Sequence, residues 1–243
     1  MIINKNTMQQ ELTALLKIIF KLPEVNKVQI RDIDIFSADE SQRIRESIDK
    51  CYHDVLSDID IGIHVTLHPD DIGDGHGYHS NPQRIGLSKD KYLGLAFSDG
   101  DRLFQMFRVI LKSGIRFDIG FYITEDNTVA IHNIPQGKED EIKDEGKFWS
   151  RWDLHKTDSF WFVEIQALAK LLRGDYLIAD HLANMQINET LVAQMIDRDD
   201  RLVKKLNSSY EERGGIFFEI WDEYRKLYKN KGSCNNGYQH SEM

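Results

Sequence analysis

The segment Ser57-Asp58-Ile59-Asp60-Ile61-Gly62-Ile63-His64-Val65 carries the clearest structural pattern in the chain. Isoleucine and valine alternate in it with acidic, small or polar residues, and successive side chains of a β-strand point to opposite faces. One face is therefore expected to enter an apolar core, and the other to present two carboxylates two residues apart. The pattern predicts a strand over residues 57–67 whose polar face carries Asp58 and Asp60.

Two carboxylates on one strand face repel each other unless a cation lies between them. Magnesium prefers oxygen ligands, and it commonly binds one or two carboxylates together with phosphate groups. An Asp-x-Asp pair alone is a weak signal, since exposed strand faces carry acidic residues freely. Asp32-Ile33-Asp34 is a second such pair, and we interpret it as the solvent-exposed face of a strand.

A hairpin is predicted further along the chain, with strands over 107–112 and 115–123 around Ser113-Gly114. Its second strand places Asp118 and Gly120 on one face, which is the spacing that Asp60 and Gly62 show in the earlier strand. A glycine beside each carboxylate is expected to leave room for a bound nucleotide.

Three carboxylates on neighbouring elements match the needs of phosphoryl chemistry. Metal ions held by such groups activate an attacking oxygen and neutralise a leaving pyrophosphate. We therefore predict that Asp58, Asp60 and Asp118 are catalytic and hold magnesium.

The remaining patterns predict an α+β fold. Helices are predicted over 7–20 and 38–52, a strand over 27–36 and a long polar loop over 68–91, and helical patterns dominate from residue 158 onwards. We predict an N-terminal α/β domain with a mixed sheet over 1–135, a charged linker over 136–157, a C-terminal helical-bundle domain over 158–230 and a tail over 231–243.

Composition narrows the class of partner. The 243 residues carry a net charge of −9, and a nucleic-acid-binding protein usually presents a basic face instead. No apolar run approaches 18 residues and no signal-peptide pattern begins the chain, so no membrane partner is expected. The two cysteines, Cys51 and Cys234, are interpreted as free thiols in a reducing compartment, which favours the cytoplasm. The oligomeric state stays open.

Several motifs together resemble a known group of enzymes. The Asp58–Asp60 strand followed by a hairpin strand carrying Asp118 resembles the nucleotidyltransferase superfamily of the polymerase-β type. The later runs Phe160-Trp161-Phe162-Val163, Ala169-Lys170-Leu171-Leu172-Arg173 and Ile178-Ala179-Asp180-His181-Leu182 are similar to the helical domain of the aminoglycoside 6-adenylyltransferase (streptomycin adenylyltransferase) family. The resemblance covers roughly residues 25 to 230.

This resemblance implies transfer of AMP from magnesium-ATP, or from another nucleoside triphosphate, to a hydroxyl of a small molecule such as an antibiotic. Asp58 and Asp60 would then be metal ligands, and Asp118 a third ligand or a general base. The expected nucleotide-binding residues are Ser37, Ser57 and Lys170.

One position departs from the family pattern. The superfamily places a Gly-Ser pair at the end of the first strand to bind the triphosphate, and here Phe36 precedes Ser37. A backbone cannot approach a phosphate as closely beside a Cβ. A non-catalytic binding protein with the nucleotidyltransferase fold is therefore the alternative, and a nuclease using the same carboxylates is disfavoured by the acidic charge.

Two further candidates have equally simple structural explanations. Glu164 lies in an apolar helical run, and it is either a general base or a surface residue. A loop carries a cluster of His and Asp residues, namely His68, Asp70, Asp71, Asp74, His76 and His79. Their spacing matches no standard zinc site, so a polar loop is the favoured interpretation.

Overall fold

The computed structural model describes residues 3–51, 56–72, 82–88, 90–98, 102–131, 159–175, 178, 215–224 and 226. The chain divides into two compact units, one formed by residues 3–163 and the other by residues 164–243 together with 1–2. The predicted linker over 136–157 and the predicted tail lie outside the described residues, so the predicted domain boundaries stay predictions.

The first unit contains most of the described helices and strands. In chain order they are α1 (Lys5–Ile19), β1 (Val25–Ile30), β2 (Ile33–Ile35), α2 (Ser41–Cys51), β3 (Ile59–Leu67), α3 (Pro69–Ile72), a 3₁₀ turn (Pro82–Ile85), β4 (Tyr92–Ser98), β5 (Phe104–Leu111) and β6 (Arg116–Glu125), followed by α4 (Ser159–Arg173), which crosses into the second unit.

The six strands form one mixed sheet in the order β2-β1-β3-β6-β5-β4. β3 and β6 run parallel in its middle, and every other neighbouring pair is antiparallel. A parallel pair needs a crossover connection, and the chain makes it through β4 and β5 before returning as β6. The predicted mixed sheet and the predicted hairpin of β5 and β6 are confirmed.

Alternation along β3 and β6 produces the apolar core. On β3 the isoleucines at 59, 61 and 63 are at most 2% exposed, and their register partners on β6 are fully buried. The partners are Phe117, Ile119 and Phe121. Buried apolar residues of α1 add to this core, namely Met8, Leu12, Leu15, Leu16 and Ile19.

The helix predicted over 7–20 is confirmed and begins slightly earlier. Asn4 has extended backbone angles, and its side chain accepts a hydrogen bond from the backbone N–H of Thr7. The bond spans 3.0 Å. Such an N-cap satisfies one of the backbone donors left open at a helix start, so α1 begins at Lys5.

The single strand predicted over 27–36 is wrong. The chain turns at Arg31 and Asp32, and β1 and β2 pair as an antiparallel hairpin. Arg31 has φ of 53°, which is the left-handed region where glycine or asparagine normally signals a tight turn. Because no such residue is present, the alternating pattern concealed the turn.

The loop predicted over 68–91 also needs correction. Within it the structure contains α3 and the 3₁₀ turn, whereas residues 73–81 and 89 lie outside the described part. Arg84 of that turn pairs with the fully buried carboxylate of Glu24, which fastens the turn to the start of β1. The sequence analysis predicted no strand at the position of β4.

The described part of the second unit is helical. In α4, Leu168 and Leu172 are buried, and in the helical residues 215–224 the rings of Phe217 and Trp221 lie 5.4 Å apart. Most of the predicted helical bundle lies outside the described residues and stays a prediction. None of the described helices is both long and apolar enough to span a membrane.

Gly86 provides a test of this packing. It has φ of 79°, and an added Cβ would overlap the Cδ1 methyl group of Ile18 on α1. We expect Gly86→Ala to lower the free energy of unfolding by about 1–2 kcal/mol from left-handed strain, and by somewhat more because the Cδ1 methyl group, the flexible end of the half-buried Ile18 side chain, must shift. Gly174 is the matched control, since it has φ of 87° but no atom within 4 Å of an added Cβ. Gly174→Ala should cost only about 1 kcal/mol.

Urea denaturation of the two variants, followed by circular dichroism, measures the difference. Equal losses in Gly86→Ala and Gly174→Ala would show that the Ile18 side chain shifts without measurable cost.

Candidate active site

The parallel pairing of β3 and β6 places two predicted site residues side by side. Asp60 is the register partner of Asp118, and the next pair on the same face is Gly62 and Gly120. Asp58 comes directly before β3, which begins at Ile59, two residues later than predicted. Its negative charge raises the pKa of both Asp60 and Asp118. The structure therefore places Asp60 and Asp118 side by side, and the charge of Asp58 acts on both.

Asp118 is the buried member of this cluster, with 9% of its surface exposed. Burial raises the pKa of Asp118 to about 7, and the charges of Asp58 and Asp60 add to the shift. Arg108 opposes the shift, because its Nε lies 3.1 Å from Asp118 Oδ2. A carboxylate removed from water beside two like charges is stabilised by any cation that reaches it.

Asp60 is the half-exposed member. Partial burial is the main cause that raises the pKa of Asp60, followed by the charge of Asp58. Arg31 opposes both, because its Nε lies 3.4 Å from Asp60 Oδ2. The backbone N–H of Arg31 also donates to the Asp60 carbonyl at 3.1 Å, so the end of β1 is attached to the carboxylate strand.

A third arginine holds the segment that precedes Asp58. The side chain of Arg116 is 1% exposed and donates from Nη2 to the Leu56 carbonyl. Its positive charge also lowers the pKa of Asp118. Sequence reasoning placed Arg116 on the same strand face as Asp118, but it assigned none of the three arginines a role. Alternation on β5 was the available signal for Arg108, since Phe107 and Val109 on either side of it are buried.

Magnesium would find suitable ligand chemistry in these carboxylate oxygens. However, within the described ranges no group of three or more His, Cys, Asp or Glu side chains is arranged to hold a metal ion. Arginine guanidinium groups contact Asp60 and Asp118 instead. The carboxylate oxygens of these aspartates are therefore suitable ligands for a hard divalent cation. In this structure, however, Asp60 and Asp118 form ion pairs with two arginines instead.

The room predicted above the two glycines is filled. A Cβ on Gly62 would lie 3.3 Å from Cε2 of Tyr122, and one on Gly120 would lie 3.1 Å from Cε2 of Phe104. The Phe104 and Tyr122 rings lie 5.0 Å apart, and the Tyr122 ring stacks on His64 at 4.9 Å. These glycines therefore accommodate the protein's own aromatic rings, which lie directly against them.

The second Asp pair has a different environment. Asp32 lies in the turn and Asp34 in β2, so they do not share a strand face as predicted. Asp34 accepts a hydrogen bond from Gln29 at 2.7 Å and pairs with Lys27 at 2.9 Å. The Lys27 contact is the main cause that lowers the pKa of Asp34. The neighbours of Asp34 therefore lower its pKa, whereas burial raises that of Asp118.

Ser37 and its surroundings are satisfied internally. The Ser37 hydroxyl accepts the backbone N–H of Asp39 at 3.1 Å, and the Phe36 N–H donates to Glu40 Oε2 at 3.2 Å. The Phe36 ring is 65% exposed and lies under the guanidinium of Arg43. A carboxylate therefore takes the backbone donor at the position where the family has glycine. A nucleotide-binding role for Ser37 stays a prediction.

Other predicted residues are placed as follows. Ser57 is half-buried directly before Asp58, and Lys170 is half-buried on α4 in the second unit. Glu164 also lies on α4, and its side chain is outside the described set. In the polar loop, His68 Nδ1 lies 3.6 Å from Asp70 Oδ2. The buried Asp71 follows, whereas positions 74, 76 and 79 fall outside the described residues.

Comparison with known solved structures adds a distant similarity. Neither a protein-family model nor a curated protein matches the sequence. Among solved structures, the chain is similar to an aminoglycoside 6-adenyltransferase from Bacillus subtilis, with 11% identity and a TM-score of 0.28 over 93% of this chain and 91% of that chain. The resemblance predicted from the sequence is thus shown only as a distant structural similarity.

Proposed function

We propose that this protein is a magnesium-dependent nucleotidyltransferase that moves a nucleoside monophosphate to a hydroxyl of a small molecule. The supporting observation is the register pairing of Asp60 with Asp118 on neighbouring parallel strands, beside Asp58. Clustered carboxylates that raise one another's pKa favour a bound cation, and nucleotidyl transfer depends mainly on metal-assisted positioning and charge stabilisation.

In this proposal the three carboxylates hold magnesium close to the phosphates of ATP. Bound magnesium would neutralise the charge that develops on the leaving pyrophosphate. Arg116 keeps the segment before Asp58 attached to β6 through the Leu56 carbonyl, so that this carboxylate stays beside the other two. The proposed acceptor is an aminoglycoside-like antibiotic, and ATP is the proposed nucleotide.

Pyrophosphate release measures this activity directly. We expect the purified protein to release pyrophosphate when magnesium, ATP and a hydroxylated aminoglycoside are all present, and to increase the acceptor mass by one AMP group. Omitting magnesium or the acceptor should remove the signal. If no pair drawn from the four common nucleoside triphosphates and a broad acceptor panel releases pyrophosphate, the enzyme proposal is wrong.

A non-catalytic binding or interaction protein on the same fold is the second candidate. It is favoured by the segment around Phe36, where the Glu40 carboxylate accepts the backbone N–H that a phosphate would need. A protein of this kind should show no rise in melting temperature with magnesium-ATP, whereas the proposed enzyme should, because a ligand that binds only the native state stabilises it. The non-catalytic protein should also release no pyrophosphate with any acceptor.

A further inference from the structure

The carboxylate row is bounded by a positive charge on each side. Reading across β1, β3, β6 and β5 in their order in the sheet, the charged groups are Arg31, Asp60, Asp118 and Arg108. Arg31 lies at the end of β1 next to Asp60, and Arg108 is the register partner of Asp118. The two ion pairs measure 3.4 Å and 3.1 Å. Cations thus lie at both ends and anions lie between them.

We propose that Arg31 and Arg108 are phosphate-binding residues that exchange partners when a metal-nucleotide arrives. In the free protein their guanidinium groups contact Asp60 and Asp118. When the metal-nucleotide binds, the metal ion binds the carboxylates in place of the arginines. The polyphosphate then binds the guanidinium groups in place of the carboxylates. This inference rests on the proposed function, because it assumes a metal-bound nucleotide at this site.

Electrostatics favours the simultaneous exchange. A divalent cation arriving alone meets two guanidinium groups beside the carboxylates, and a polyphosphate arriving alone meets three carboxylates. Like charges at such distances oppose binding in both cases. A metal-nucleotide brings both signs together, so each protein charge finds an opposite partner. The planar guanidinium fork matches phosphate oxygens in geometry.

The burial of the two ion pairs indicates that Arg108 contributes more than Arg31 to binding of the metal-nucleotide. Its side chain is 18% exposed and that of Asp118 is 11% exposed, whereas Arg31 and Asp60 are about half exposed. Separating a buried ion pair is costly unless both charges find new partners, and exposed pairs contribute little. If a metal ion binds Asp118, the buried guanidinium group of Arg108 loses its partner and therefore requires another anion.

The exchange also supplies a phosphate contact that the segment after β2 does not offer. The Phe36 backbone N–H is already donated to Glu40, and the Ser37 hydroxyl already accepts from Asp39. Guanidinium groups beside the carboxylates provide positive charge at the position where a metal-bound polyphosphate would lie.

Substitution of Arg108 by glutamine tests the exchange through two binding constants. Mn²⁺ alone and magnesium-ATP without an acceptor are titrated separately by calorimetry. We expect Arg108→Gln to bind Mn²⁺ at least about fivefold more tightly and magnesium-ATP at least about fivefold more weakly, as a modest coupling between sites would produce. Opposite changes in the Mn²⁺ and magnesium-ATP affinities identify the exchange, because general structural damage would weaken both.

Arg102→Gln is the matched control. Arg102 Nη1 lies 3.0 Å from Glu125 Oε1 at the far end of β6, so this variant also removes an arginine paired with β6. It should keep both wild-type affinities. Arg31→Gln, at an exposed position, should also bind Mn²⁺ more tightly and magnesium-ATP more weakly, but by smaller factors. If Arg108→Gln does not fold, the two affinities of Arg31→Gln test the proposed exchange.

Wild-type affinities in Arg108→Gln, or a change of both affinities in the same direction, would overturn the exchange. Failure of wild-type protein to bind magnesium-ATP would overturn it as well. Failure of the proposed enzymatic function gives a different result, namely opposite affinity changes in the variants but no pyrophosphate release by the wild type.

Discussion

Asp60→Asn and Asp118→Asn are each expected to reduce nucleotidyl transfer about a thousandfold or more, with the fold retained. Asparagine keeps the shape of aspartate but loses the charge that a magnesium ion requires. Loss of a metal contact removes several kcal/mol of transition-state stabilisation, and each 1.4 kcal/mol is about tenfold in rate. Initial rates of pyrophosphate release with saturating magnesium-ATP give the comparison.

Asp32→Asn is the control for these two variants. Asp32 is exposed in the turn between β1 and β2, outside the carboxylate row, so its replacement should leave the rate within about twofold of wild type, as for a typical surface substitution. Circular dichroism of each variant checks that the fold persists. If Asp32→Asn abolishes the activity and Asp60→Asn does not, the chemistry belongs to the β1–β2 turn.

The second large effect concerns stability and pH in metal-free buffer. The folded-state pKa of Asp118 is about 7 against an ordinary value of 3.8, so the native protein binds this proton more tightly than the unfolded chain does. Stability rises with pH where the unfolded state binds more protons, and the opposite applies here. Asp118 should therefore lower the free energy of unfolding as pH rises from about 4 to about 7, by up to about 4 kcal/mol.

Asp118→Asn removes this titration and should flatten that part of the pH profile. The measurement is urea denaturation between pH 4 and pH 8 in the presence of a chelator, compared between wild type and variant. Only the difference in slope is diagnostic, because the variant also leaves Arg108 without its ion-pair partner. Identical slopes would mean that Asp118 is ionised in the native state throughout this range.

Magnesium should reverse the destabilisation at neutral pH. A cation that binds the ionised Asp60 and Asp118 stabilises the native state in proportion to its occupancy. Added magnesium-ATP should therefore raise the wild-type unfolding free energy more at pH 8 than at pH 5, and this difference should disappear in Asp118→Asn.

The alternation of apolar and polar residues along the sequence was sufficient to predict several of the strands. Alternation over 57–67 and 115–123 correctly identified the buried isoleucines and the opposite polar face, because the two-residue period of a strand is a property of the backbone itself. The same reasoning failed over 27–36, where Arg31 adopts positive φ without a glycine. A pattern of side chains does not reveal a turn that its residues do not favour.

The sequence by itself determined that Asp60 and Asp118 lie on polar faces of strands, since each is flanked by residues that must be buried. Only the tertiary structure decided that β3 and β6 are parallel neighbours in exact register, that Arg31 and Arg108 contact these carboxylates, and that aromatic rings cover the glycines beside them. Strand order depends on how distant segments share one core, and a buried charge is compensated by whichever group the sheet places beside it. Neither property is encoded within a single strand.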